Sequence, residues 1–243
     1  MRISRRGFVG SATGAVGGWL LSEASGWARL GSQAKLEGRP ALLDLGAQCV
    51  LRESFEGYRV ALGGQDACPP KFVSGSRPGR GAVIVPGAGV MDRGTCSALL
   101  DLLAAGSKVV FESGGGFLRR EEFAVHRRML SDVFGLMVDS PVDLWSREEA
   151  VPYVTYSWPR ATMVRDFSRV VPVVAPRSEV IGRVGELAVA SRKPVGRGHL
   201  IFIGSPMGPA LRARDPECRQ WLELLLSASP RVLRDWYETA SVH

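Results

Sequence analysis

Two kinds of hydrophobic pattern alternate along the chain. The first is a set of short apolar runs: Ala41-Leu-Leu-Asp-Leu45, Ala82-Val-Ile-Val85, Lys108-Val-Val-Phe111 and His199-Leu-Ile-Phe-Ile203. Their length and β-branched content predict strands buried on both faces. The second is a helical period. Val50, Leu51, Phe55, Tyr58 and Leu62 follow it up to Gly63-Gly64. Cys96, Leu99, Leu100 and Leu103 fall at i, i+3, i+4 and i+7, with Thr95 placed as N-cap and Gly106 as a left-handed C-cap. Phe123, Leu130, Val133 and Phe134 make an inward stripe between Glu121 and Phe134. Cys218, Trp221, Leu222 and Leu225 make another behind an Asp215 cap and Pro216 at the first helical position.

Strand, helix and strand within about 30 residues of Gly81 form a βαβ unit, so those two strands are expected to be parallel and connected right-handedly. The segments 179–190 and 198–203 flank Pro194-Val-Gly-Arg-Gly198, which predicts a β-hairpin. Residues 65–80 and 136–178 are rich in Pro and Gly or in Pro and Trp. They predict loops and short strands, the second group covering one end of the sheet.

The first 28 residues break this pattern. A basic start, Met-Arg-Ile-Ser-Arg-Arg, precedes a Gly/Ala-rich apolar run to Leu21 and a small-residue finish at Ala28. That is the layout of a cleavable signal, too short for a good membrane span. Ser4-Arg-Arg-Gly-Phe-Val9 resembles the twin-arginine (Tat) export motif, with Val9 and Gly10 as mild departures. The expected organisation is a signal peptide over 1–28, a linker over 29–39, an α/β domain over 40–230 and a tail over 231–243. The protein is then periplasmic or extracellular, meets the Tat translocase during export, and keeps no stable membrane span after cleavage.

Composition narrows the chemistry. Of 243 residues, 45% are hydrophobic and 23% charged, which suits one globular domain. Formal net charge is +7. The charges are mixed in sign, as in Arg119-Arg120-Glu121-Glu122, so a nucleic-acid partner is not expected. Four cysteines (Cys49, Cys68, Cys96 and Cys218) allow three full pairings. Only Cys49 and Cys68 look loop-accessible; Cys96 and Cys218 fall on apolar helix faces. There is no Cys-x-x-Cys and no Cys/His cluster, so no metal site and no cofactor is expected.

The run from Gly81 to Phe117, with the hairpin and closing strand, turn and helix over 179–226, resembles the class I glutamine amidotransferase-like superfamily. The likeness is to its trehalose-utilisation-type and β-galactosidase trimerisation-like branches, where a late strand like Gly196-Arg-Gly-His-Leu-Ile-Phe-Ile-Gly204 leads to a last helix. The resemblance implies a flavodoxin-like three-layer α/β/α sandwich with a mostly parallel sheet. It also implies that the catalytic Cys-His-Glu set is missing. Ser113 stands where the family's Cys would be, and Gly204-Ser-Pro-Met-Gly208 contains no His-x-Glu.

Candidate chemistry gathers at two strand ends, where α/β sheets collect ligands. One is Pro86-Gly-Ala-Gly89, the other Glu112-Ser-Gly-Gly-Gly116. Gly87, Gly89, Glu112, Ser113, Gly114 and Gly115 are the expected ligand-facing residues, for an unidentified small molecule or protein partner. The glycines could cradle an anion through free amides, or simply permit close backbone packing. Ser113 as a hydrolytic nucleophile needs an imidazole, and His126 is the candidate. Yet His126 shares the apolar stripe of Phe123 and Leu130, and no third, orienting side chain is visible. Trp145, Tyr153, Tyr156 and Trp158 form an aromatic group expected near the same rim, where such rings could stack on a sugar or fill a small core.

Overall fold

The computed structural model describes residues 40–63, 81–113, 115–144, 153–165, 169–174 and 178–228. The expected signal and linker, the loop over 65–80, Cys68, Gly114, Trp145 and the tail over 231–243 lie outside the described residues. The chain runs through β1 (Ala41–Leu42), α1 (Arg52–Ala61), β2 (Ala82–Val85), α2 (Arg93–Ala105), β3 (Lys108–Glu112) and α3 (Arg120–Phe134). Then come β4 (Val142–Asp143), β5 (Tyr153–Tyr156), β6 (Thr162–Arg165), β7 (Arg169–Val170), β8 (Glu179–Val184), β9 (Leu187–Val195) and β10 (Gly198–Ile203). The short α4 (Gly208–Arg212) and α5 (Pro216–Ser227) close it.

Among the described residues, eight strands make one sheet in the order β1-β2-β3-β10-β9-β8-β5-β6. The four expected apolar runs pair in parallel, with Val83 opposite Val109 and Val110 opposite Ile201. The late hairpin is present, β9 running antiparallel to β10 around Gly196, whose φ of +59° suits only glycine well. It also extends further than the pattern suggested. Gly185, at φ +53°, turns the chain between β8 and β9, and β5 and β6 continue the antiparallel half to the edge.

Helices cover the parallel half on both faces. Phe55 and Tyr58 of α1 and Cys218, Trp221, Leu222 and Leu225 of α5 pack with Ile84, Val110 and Ile201. On the other face Phe134 of α3 meets Phe111, which lies 6.3 Å from Phe202 between ring centroids. One cap differs from expectation. Helix α2 starts earlier, with Asp92 as N-cap, and the Thr95 amide and hydroxyl both bond to Asp92. Gly106 closes α2 in the left-handed conformation, and Asp215 caps α5, as expected.

Candidate functional site

The two expected tips lie side by side. Strands β2 and β3 are parallel neighbours, and the Ala88 amide donates to the Glu112 carbonyl at 2.8 Å. The ladder continues one residue past β3, where the Ser113 amide donates to the Ile203 carbonyl. Successive residues of an extended strand project to opposite faces. Glu112 and Ser113 therefore leave one tip in opposite directions and do not share a site.

Ser113 turns towards α3. Its Oγ lies 2.6 Å from His126 Nε2, and both side chains are buried. His126 Nδ1 lies 2.7 Å from the Gly89 carbonyl oxygen. A carbonyl only accepts, so Nδ1 carries the proton, and Nε2 accepts from the Ser113 hydroxyl. The missing orienting group is thus a backbone oxygen of the neighbouring tip. Phe111, Phe117 and Phe123 surround the imidazole, with Phe117 4.7 Å away between centroids. Burial holds the ring neutral, pushing its pKa down to about 4 against the favourable pull of the Gly89 carbonyl. His126 is buried on the same helix face as Phe123 and Leu130, and its ring reaches the Ser113 hydroxyl.

Glu112 turns the other way, under α1. Its Oε2 accepts from the Tyr58 hydroxyl and from the Met207 amide, both at 2.9 Å. Burial raises its pKa, opposed by Ser54, the Met207 amide, Tyr58 and the Gly87 amide. The Met207 amide comes from the turn where the amidotransferase pattern would hold His-x-Glu.

The chain's own backbone lies over the glycines. A Cβ on Gly87 would come within 2.6 Å of the Leu51 carbonyl oxygen, and one on Gly89 within 2.8 Å of the Gln48 carbonyl oxygen. At Gly115 the Arg169 carbonyl oxygen is 2.4 Å away, and at Gly116 that of Val50 is 2.3 Å away. The segment before α1 and strand β7 therefore close down on both tips. Sequence reasoning missed these covering segments because backbone carries no residue-type signal.

Tyr153, Tyr156 and Trp158 are not at this rim. Strand β5 is four places from β3 in the sheet, and alternation splits its tyrosines. Tyr153 is exposed, whereas Tyr156 is buried 4.2 Å from the Trp221 ring. Trp158 packs beside the Arg192 guanidinium and accepts from the Trp221 indole through its carbonyl. Among the described residues, no group of three or more His, Cys, Asp or Glu side chains gathers to hold a metal, and no helix is long and apolar enough to cross a membrane.

No protein-family model matches the chain, and no curated protein sequence does. Solved structures do. A cold-adapted β-galactosidase from Rahnella sp. R3 superposes with a TM-score of 0.52 at 12% identity, over 78% of this chain and 31% of that one. A β-galactosidase from Bacillus circulans sp. alkalophilus gives 0.49 at 15%, over 76% and 31%. A ThuA-like protein from Bacteroides uniformis gives 0.44 at 10%, over 79% and 91%. The chain thus spans about a third of the β-galactosidases' length, and the first likeness identifies a shared fold.

Proposed function

We propose that the chain is an exported, non-catalytic α/β domain of the amidotransferase-like kind, with a binding or scaffold role outside the cytoplasm. The observation that carries this reading is the state of the Ser113–His126 pair. Both side chains are fully buried, both ring nitrogens are used, and three phenyl rings enclose the imidazole. A hydrolytic pair has to meet its substrate's carbonyl or anomeric carbon and offer donors to the developing charge. Here the carboxyl of the tip points to the opposite face of the sheet. The pair instead ties α3 to two strand ends.

Export rests on Arg5-Arg6 within Ser4–Val9 and the apolar run behind it. A carbohydrate-related ligand or partner is the part of the proposal drawn from the β-galactosidase whose fold is shared. Replacing Arg5→Lys and Arg6→Lys together is expected to leave the protein in the cytoplasm, as fractionation would show; continued export would remove this part.

One observation favours a second reading, a hydrolase using Ser113: the hydroxyl is 2.6 Å from a neutral imidazole. Wild type and Ser113→Ala separate the two when assayed against ester, amide and glycoside substrates. We expect identical background rates. A wild-type rate that Ser113→Ala abolishes, in a variant that still folds, would install the hydrolase. A thermal-shift screen of the folded protein with sugars and cell-wall fragments then looks for the ligand, since one bound only by the native state raises apparent stability.

A further inference from the structure

Where Glu112 enters the core, α1 and α4 cross at very short range. A Cβ on Gly57 would come within 2.0 Å of the Gly208 carbonyl oxygen, and one on Gly208 within 2.0 Å of Ser54 Cα. Glu112 fills the seam between these helices and the sheet, fully buried. Two donors from two different elements, Tyr58 of α1 and the Met207 amide just before α4, converge on Oε2. Oε1 has no partner, and neither has the buried Ser54 Oγ, although Ser54 lies near enough to act on the carboxyl.

A buried carboxylate is tolerated when a cation faces it. Among the described residues, the titratable groups that face Glu112 are Tyr58 on α1, Cys49 in the segment before α1 and Cys218 on α5, all neutral at pH 7. The remaining influences on it are the nearby Ser54 hydroxyl and the Met207 and Gly87 amides. A protonated Oε1 would donate to Ser54 Oγ and settle both unpartnered atoms at once. We propose that Glu112 sits in this seam as a neutral carboxylic acid, and that its ionisation loosens α1 and α4 from the sheet, making the seam an acid-held lock. The lock goes beyond the proposed binding role and does not depend on it.

The sign follows from the direction in which burial moves the carboxyl. Its native pKa is raised above the ordinary 4.5. The stability contributed by the neutral form is therefore fully present below about 4.5 and is lost as pH rises through the native value. Between about 4.5 and that value, each pH unit multiplies the opened population about tenfold, and beyond it the effect levels off.

The test compares wild type with Glu112→Gln, whose amide keeps the acceptor for Tyr58 and Met207 and the donor for Ser54. Urea midpoints at about pH 5 and about pH 9 should nearly coincide in acid and diverge in alkali, with the variant the more stable. Amide hydrogen exchange over α1, corrected for intrinsic rates, should accelerate with pH in wild type only. An equal stability gap at both pH values, or a wild type that gains on the variant as pH rises, would overturn the proposal. So would a Glu112→Gln chain that fails to fold, because the amide reproduces the bonds of the neutral acid. Glu112→Ala, which leaves Tyr58 and the Met207 amide unpaired, is expected to be weaker than both at either pH. Lost sugar binding with an intact pH response would count against the binding role and not the lock.

Discussion

His126 is held at both ring nitrogens, so truncating it does more than empty a space. His126→Ala would leave the Ser113 hydroxyl and the Gly89 carbonyl without partners among three phenyl rings. Cavity formation and lost hydrogen bonds together are expected to cost about 3 kcal/mol, read from urea unfolding. The loss should depend on pH. The folded ring has its pKa lowered from 6.5 to about 4, so the unfolded chain binds the proton first. Stability from the neutral ring is fully present above about 6.5 and disappears as pH falls through about 4. The gap between wild type and His126→Ala should therefore narrow on acidification by up to about 3 kcal/mol. A gap that widens in acid would mean that the ring is protonated in the fold. Both partners of this tie were visible as residue types in the sequence. What joins them, the Gly89 carbonyl, was not, because every residue carries a carbonyl and only the fold selects one.

At the scale of elements, the α1–α4 crossing makes the strongest demand on sequence. A glycine inside a helix ordinarily costs up to about 1 kcal/mol relative to alanine. At Gly57 the sign reverses, since the methyl group would meet the Gly208 carbonyl carbon and oxygen at 2.6 and 2.0 Å. Gly57→Ala is expected to destabilise by about 1–3 kcal/mol by overpacking, despite its gain in propensity, as a shifted unfolding midpoint would report. A stabilised variant would show that the crossing has slack. Gly57 carries no sequence signal for this role, because a glycine on an amphipathic stripe looks like a weak point until its neighbour is known. Period and caps served better. The four apolar runs became the parallel strands, and Gly106 and Asp215 took their expected places. The start of α2 moved to Asp92 because an aspartate three positions before Thr95 can accept from both its amide and its hydroxyl. Strands β5 and β6 were least legible. Each has only four residues, too few for alternation to stand out among the surrounding Pro and Arg.

Across the whole molecule, the apolar cluster runs without a break from Leu42 on one edge of the sheet to Val164 on the other, through Trp221 and Cys218 of α5. Lys108, at the start of β3, donates to the carbonyls of Leu225, Leu226 and Ala228 and so ties the last turn of α5 to the parallel half. An element anchored at both ends in one core should open only with that core. The cysteines offer a way to test this. Cys49 is half-buried, whereas Cys218 is fully buried and burial pushes its thiol well up. In a Cys68→Ser background, a thiol reagent is expected to label Cys49 readily and Cys218 only through global unfolding. Where reclosing outpaces labelling, the Cys218 rate follows the unfolded population, so His126→Ala, about 3 kcal/mol weaker, should raise it about a hundredfold. Cys49 labelling should change far less. If Cys218 instead reacts as fast as Cys49 and ignores the His126 substitution, α5 opens on its own, and the Lys108 tie does not couple it to the sheet.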